Sequence, residues 1–257
     1  MRLVKQELLD KGLAPSTAAY VLGILSTALN QAVDDELIPR NPVRSVRKPK
    51  SRRPKMRILS AEQAATLVGS VRGTRHEALY AVAVWLGPRQ GELAALTWAD
   101  VDPEKRLLAV KRSVNTDRAG ERWSPTKTGE VREIVLPERV AASLARHRKI
   151  QAEEMLAAGS AWKNPDLVFP NTLGGVNRRA TLYENFQRHR ERAGLPTMRF
   201  HDLRDTAATL MIRAGVDVRT VADILGHADP AMTLRRYAHV LPDMRERAAG
   251  VIDSYAF

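Results

Sequence analysis

Hydrophobic residues recur at helical spacing along most of this chain. Tyr20, Val21, Ile24, Leu25, Ala28, Leu29 and Ala32 fall three and four apart, which predicts one amphipathic helix over 16–38 with Ser16 as its N-cap. A shorter helix is expected before Gly12. Ser60-Ala61-Glu62-Gln63 has the form of a capping box and should open another helix, followed by one from about Thr74 to Leu86. The pattern then becomes strand-like at Leu107–Val110 and Glu133–Leu136, on either side of a Gly-, Thr- and Lys-rich stretch from Asn115 to Glu130. A small sheet or hairpin is expected there. Pro137 should start a long helix reaching about Ala158, and the remainder reads as helical with breaks at Gly194-Leu195-Pro196, Gly215, Gly226 and Pro242. The fold class is therefore α+β, mainly helical with a small antiparallel sheet.

One segment has no such pattern. Arg44 to Arg57 holds two prolines, eight basic residues and no acid. Prolines deny it a helix and self-repulsion extends it, so it is expected to be a linker between domains. Its Lys48, Lys50, Arg52, Arg53 and Lys55 also match the charge of a phosphate backbone.

Composition sharpens this picture. The 257 residues suffice for a substantial core, and a formal net charge of +12 favours a polyanionic partner. The absence of cysteine excludes disulfides, thiolate metal sites and a Cys nucleophile, and the six histidines show no paired metal-binding spacing. The amino-terminal residues lack a signal-peptide core, and the longest nearly apolar run, Ala78–Gly87, is about half a membrane span. The expectation is a cytoplasmic protein with no membrane partner.

Several polar residues are candidates for chemistry. His201 and Arg204 are three apart and share a helix face, beside an apolar stripe of Leu203, Ala207, Leu210, Met211 and Ala214. Arg89 follows a Gly-Pro break near a helix start, a position suited to an anion, although it could equally pair with Glu92. Lys127 is placed on the turn between the two expected strands. Tyr20 and Tyr80 fall among apolar positions and read as core. Tyr237 instead follows Arg235 and Arg236, ten residues after His227, and a phenol with an ordinary pKa near 10 needs cations or a base nearby to act as a nucleophile.

Taken in order, Arg89, Lys127, His201-x-x-Arg204, His227 and Tyr237 resemble the signature of the tyrosine recombinase (phage integrase) family. The resemblance runs over roughly residues 10–257 and is most specific from Phe200 to Met244. It implies a catalytic domain over 58–257, a basic linker over 46–57, and a partial, helical core-binding domain over 1–45 that supplies about the last half of the usual one. It further implies DNA strand exchange through a 3′-phosphotyrosine, with no metal or nucleotide cofactor.

In that scheme Arg89 and Arg204 clamp the scissile phosphate, Tyr237 attacks and Lys127 protonates the departing 5′-oxygen. His201 accepts the phenolic proton and His227 donates a hydrogen bond to the phosphate. The implied partners are double-stranded DNA at attachment or crossover sites, further copies of the chain as a tetramer on DNA, and an excisionase or directionality factor, with a nucleoid-associated location. Two positions depart from the pattern: Asp205 stands where many relatives have a second histidine, and Pro88 where Leu or Met is common. Residues Asp217 to Tyr237 also read as a helix-turn-helix, so a non-catalytic DNA-binding regulator is the main rival. A type IB topoisomerase is the other.

Overall fold

The computed structural model describes the chain except residues 48, 50–55, 118, 119, 128, 164, 165, 239–251, 254, 256 and 257 and the side chain of Arg2. It divides into two compact units, Met1–Lys55 and Met56–Phe257. The five basic residues Lys48, Lys50, Arg52, Arg53 and Lys55 lie outside the described residues, as does the stretch from Pro242 to Val251.

The first unit holds helix α1 (Arg2–Asp10) and helix α2 (Pro15–Asp34). Ser16 is not the cap. Ala14 occupies that position and Pro15 the first helical turn, where a fixed φ and a missing N–H cost nothing. Leu22, Val43 and Val46 form a small core with Leu25 and Leu29 packed on it. Buried Asn41 staples the segment after α2. Its amide donates to the Ser26 carbonyl at 2.9 Å and to Asn30 Oδ1 at 2.8 Å, and its Oδ1 accepts from the Val43 N–H at 2.8 Å. Tyr20 is 69% exposed, against the expectation of a core position. Helix α2 turns its Ala18–Leu22 side inward, and the periodic stripe alone does not say which of its two edges is covered.

The second unit opens with α3 (Ala61–Gly69), whose predicted capping box is formed: Ser60 Oγ accepts from the Gln63 N–H, and Gln63 Oε1 accepts from the Ser60 N–H. Helix α4 (Glu77–Trp85) is buried on every side from Glu77 to Val84, as an unbroken apolar run requires. Helix α5 (Gln90–Ala94) is a single short turn after the Gly-Pro break. Strands β1 (Val101–Asp102), β2 (Leu107–Val110) and β5 (Arg132–Val135) make an antiparallel sheet in the order β1-β2-β5, with Leu108 opposite Ile134. Helix α6 runs from Glu138 to Ala158 behind Pro137.

The stretch expected to connect the strands forms a second sheet. Strands β3 (Arg112–Asp117) and β4 (Gly120–Pro125) pair as an antiparallel hairpin, with Val114 opposite Trp123. All of β4 is exposed, so it carries none of the apolar alternation by which a strand is recognised in sequence.

Helices α7 (Arg179–Arg192), α8 (Asp202–Arg213), α9 (Val218–Leu225) and α10 (Pro230–Tyr237) complete the unit. The main core spans α3 through α8 and includes Leu67, Tyr80, Leu93, Leu108, Ile134, Leu144, Phe186 and Leu203. A second cluster, Ala208, Ile212, Val221, Leu225 and Tyr237, ties α8, α9 and α10 together. Each of its larger apolar side chains contributes roughly 1.5–3 kcal/mol by burial, and this cluster sets where the residues at the ends of the three helices fall. Among the described residues no helix is long and apolar enough to cross a membrane.

Candidate active site

Three arginines from distant parts of the second unit converge on three consecutive carbonyls. Arg132 Nε donates to the Ile224 carbonyl at 2.9 Å, Arg204 Nη2 to that of Leu225 at 2.6 Å, and Arg89 Nη2 to that of Gly226 at 2.9 Å. These are the last carbonyls of α9 and its C-cap, left without helical partners and carrying the negative end of the helix dipole, so cations are favoured there. Gly226 ends the helix in the left-handed region at φ 66°. A Cβ at this position would lie 2.7 Å from Arg132 Nη1, so glycine is required by both backbone and neighbour.

Each guanidinium is held from a second side. Arg89 caps α5, and Glu92 one turn later accepts from both its N–H and its Nη1 at 2.8 Å. Glu92 also takes Arg132 Nη2 at 2.5 Å, and its side chain is only 1% exposed. Burial pushes the Glu92 carboxyl upward, but the Arg132 hydrogen bond and charge outweigh it and hold the group below its ordinary range. The salt bridge that competes with a functional Arg89 is therefore present, and it is what orients the arginine. Arg204 Nη1 donates to the Gly87 carbonyl at 2.8 Å. Gly87, at φ 66°, lets that turn press against α8 and α9: a Cβ there would meet Leu225 Cδ2 at 2.8 Å and Ala207 Cβ at 3.0 Å. Arg204 is buried, and desolvation first, then the Arg89 charge, lower its pKa to about 9.

His227 follows the same turn, and its Nδ1 lies 2.6 Å from the Thr233 hydroxyl on α10. Burial, then Arg204 and Arg89, lower its pKa to about 4, so the ring is neutral near pH 7. His201 occupies the N-cap of α8 and is exposed, and partial desolvation of its ring lowers its pKa against the opposing pull of Asp205. The first turn of α8 carries Asp202 and Asp205, which suit a helix N-terminus, and Asp202 is fixed by Arg199 at 2.7 Å.

Tyr237 closes α10 and is 1% exposed. Its hydroxyl donates to Asp205 Oδ1 at 2.7 Å, and Arg236 forks onto the same carboxylate at 2.9 and 2.8 Å. Burial and Asp205 raise the phenol's pKa, while Arg236 and Arg204 oppose them. The structure thus brings Arg89 and Arg204 together beside His227, and Tyr237 reaches Asp205, one residue after Arg204, by a hydrogen bond; His201 is exposed at the start of α8, and no hydrogen bond or ion pair among the described residues joins it to them. Lys127 makes no such contact. It lies exposed on the turn between β4 and β5, where Thr126 Oγ1 donates to the Glu130 carbonyl at 2.7 Å, and no hydrogen bond or ion pair among the described residues joins it to the arginines. Glu92, Arg132 and Thr233 belong to the cluster although the sequence did not single them out as site residues. Glu92 has a visible signal in its spacing from Arg89; Arg132, in a strand 40 residues further on, has none. No group of three or more His, Cys, Asp or Glu among the described residues is placed to hold a metal ion.

The chain is similar to known proteins over most of its length. The Phage integrase family matches residues 57–244. A XerC-like tyrosine recombinase of Caldanaerobacter subterraneus subsp. tengcongensis is 30% identical, over 96% of this chain and 68% of its own length. The ICEBs1 integrase of Bacillus subtilis is 23% identical over 97% of the chain and 68% of its own. Among solved structures, the Tn1549 transposon integrase in complex with a circular intermediate DNA superposes with a TM-score of 0.79 at 22% identity, covering 95% of this chain and 82% of that one. The lambda integrase tetramer bound to a Holliday junction gives 0.64 at 21% identity, covering 90% and 61%. On its sequence match, and with a fold in keeping, this chain belongs to the phage integrase family of tyrosine-type site-specific recombinases.

Proposed function

We propose that Tyr237 is the nucleophile of this recombinase and that Arg89 and Arg204 hold the phosphate it attacks. The observation that carries the reading is the meeting of Arg89 and Arg204 at the adjacent Gly226 and Leu225 carbonyls, next to His227 and one helix away from Tyr237. Two guanidiniums preorganised at one point stabilise the charge that develops on a phosphodiester in its transition state, typically the largest catalytic contribution. In the tautomer this role needs, Thr233 donates to Nδ1 and neutral His227 carries its proton on Nε2, from which it can donate a hydrogen bond to a phosphate oxygen.

His201 accepts the phenolic proton as the Tyr237 oxygen bonds to phosphorus. The bond to the 5′-oxygen breaks, and Lys127 delivers a proton to that oxygen. One phosphoester replaces another, so the step is reversible by an incoming 5′-hydroxyl.

The domain assignment belongs to the same proposal: residues 1–45 as a partial core-binding domain, 46–57 as a basic linker that lies on phosphates, and 58–257 as the catalytic domain. So do its partners. Double-stranded DNA carrying crossover sites is favoured by the +12 charge, and assembly of four copies on DNA follows the lambda integrase tetramer. An excisionase-like directionality factor and a cytoplasmic, nucleoid-associated location complete the reading. Tyr237→Phe should bind a randomised pool of nicked duplexes as the parent does and give no SDS-stable protein–DNA band. A persisting band would remove Tyr237 from the role. Absence of a band from the parent protein as well would favour the regulator.

A further inference from the structure

We propose that Asp205 is a positioning residue that stores Tyr237 in an unreactive state until DNA draws the hydroxyl away. The inference rests on the reading of Tyr237 as the nucleophile. Its basis is geometric: the Tyr237 hydroxyl is spent on Asp205 Oδ1 at 2.7 Å, and the carboxylate is locked by both arms of Arg236 at 2.9 and 2.8 Å. The Asp205 side chain and Tyr237 are each only 1% exposed. The hydroxyl is therefore directed into the protein rather than toward a surface that DNA can reach.

The chemistry of the pair opposes attack. Ionising a phenol beside a fixed carboxylate places two anions at hydrogen-bond distance, and a phosphodiester arriving at the same oxygen adds a third. Asp205 is also a poor proton acceptor. Burial acts to raise its carboxyl, but the hydrogen bonds from Arg236 and Tyr237 hold it below the ordinary range, so it restrains the phenol without deprotonating it.

The charged and titratable groups facing the pair are Arg204 and His201 from the α8 side, Arg199 just before that helix, His227 from the turn between α9 and α10, and Arg236 on α10 itself. Apart from Asp205 all are cationic or neutral. The carboxylate is thus the one group of the set that works against the phenolate, and attack requires the hydroxyl to leave Asp205, give its proton to His201 and bring its oxygen to the phosphorus of a phosphate held by Arg89 and Arg204. Arg236 is the exposed member, its side chain 42% accessible, and is the part of the latch that a phosphate backbone meets first.

Two variants and two readouts test this. Asp205→Asn keeps the shape and an acceptor oxygen but removes the charge; Arg236→Gln leaves the charge and removes its counter-ion. Phenol ionisation, read by ultraviolet difference absorbance against Tyr237→Phe without DNA, should move to lower pH in Asp205→Asn and to higher pH in Arg236→Gln. On the nicked random pool, Asp205→Asn should form adduct about tenfold faster, the factor expected from exchanging one charge-assisted hydrogen bond for a neutral one. The alkaline limb of its rate profile should shift to lower pH. A folded Asp205→Asn protein whose phenol titrates as in the parent, or whose adduct forms more slowly at every pH, would overturn the proposal. If Asp205→Asn does not fold, an unmoved phenol titration in Arg236→Gln overturns it equally. Failure of the nucleophile reading shows separately, as a Tyr237→Phe protein that still forms adduct.

Discussion

At the scale of single residues, the site is built around buried acids that aim basic groups. Glu92 serves both Arg89 and Arg132, so Glu92→Gln should leave two partly buried guanidiniums short of an anion. Breaking a buried pair from one side costs about 3–5 kcal/mol. Chemical denaturation would register that loss, and a change below about 1 kcal/mol would mean that the pair is relaxed in solution. Arg89→Lys should preserve folding yet lower the adduct-forming rate by on the order of a hundredfold. A point charge cannot hold Glu92, the Gly226 carbonyl and a phosphate in the plane that a guanidinium spans. Single-turnover rates on the nicked pool would show it.

His227 sets a pH dependence. Its folded pKa of about 4 lies below the ordinary value near 6.5, so the unfolded chain binds the extra proton between those values. Stability must therefore fall as pH drops through that window, and His227→Asn should flatten that part of the thermal-melting profile. An unchanged slope would refute the shift.

At the scale of elements, two glycine turns decide whether the arginines meet. Gly87 and Gly226 both adopt φ 66° and both lie against side chains of other elements. Gly87→Ala has to strain the backbone, at about 1–2 kcal/mol, and also displace Leu225, which seats α9. We expect a loss of at least about 2 kcal/mol with adduct formation falling further than stability alone explains, because Arg204 donates to the Gly87 carbonyl. Equal and small losses in both measurements would show that the turn relaxes.

Most of these elements are legible in sequence, including the Ser60 capping box, the α4 run, the helix behind Pro137 and the breaks at Gly194, Gly215 and Gly226. Three features are not. The β3–β4 hairpin exposes most of its residues and so shows no alternation. The start of α2 lies before Ser16 because Pro15 preorganises the first turn. Tyr20 reads as core because periodicity locates a stripe without stating which edge another element covers.

At the scale of the whole molecule, a charge of +12 should make DNA affinity depend on salt, and the basic run before residue 57 is proposed to supply part of that dependence. Replacing Lys48, Lys50, Arg52, Arg53 and Lys55 by Gln should weaken binding alike on all sequences. The slope of log affinity against log salt should become shallower by about 0.9 for each phosphate no longer neutralised. A loss confined to one sequence would assign the run to base recognition instead.

The identities and order of Arg89, Lys127, His201, Arg204, His227 and Tyr237 were determined by the sequence, because chemistry that needs guanidinium, imidazole and phenol groups leaves those residue types in the chain. Their separations in space were not. Arg89 and Arg204 stand 115 positions apart along the chain by their numbering, and only the packing of Gly87 against α8 and α9 brings both to the end of one helix. The same packing turned Tyr237 inward onto Asp205, a hydrogen bond between side chains 32 residues apart that no local periodicity encodes. Local pattern reports which face of an element is apolar; which polar groups then meet depends on long-range packing, and that is where this enzyme's resting state was decided.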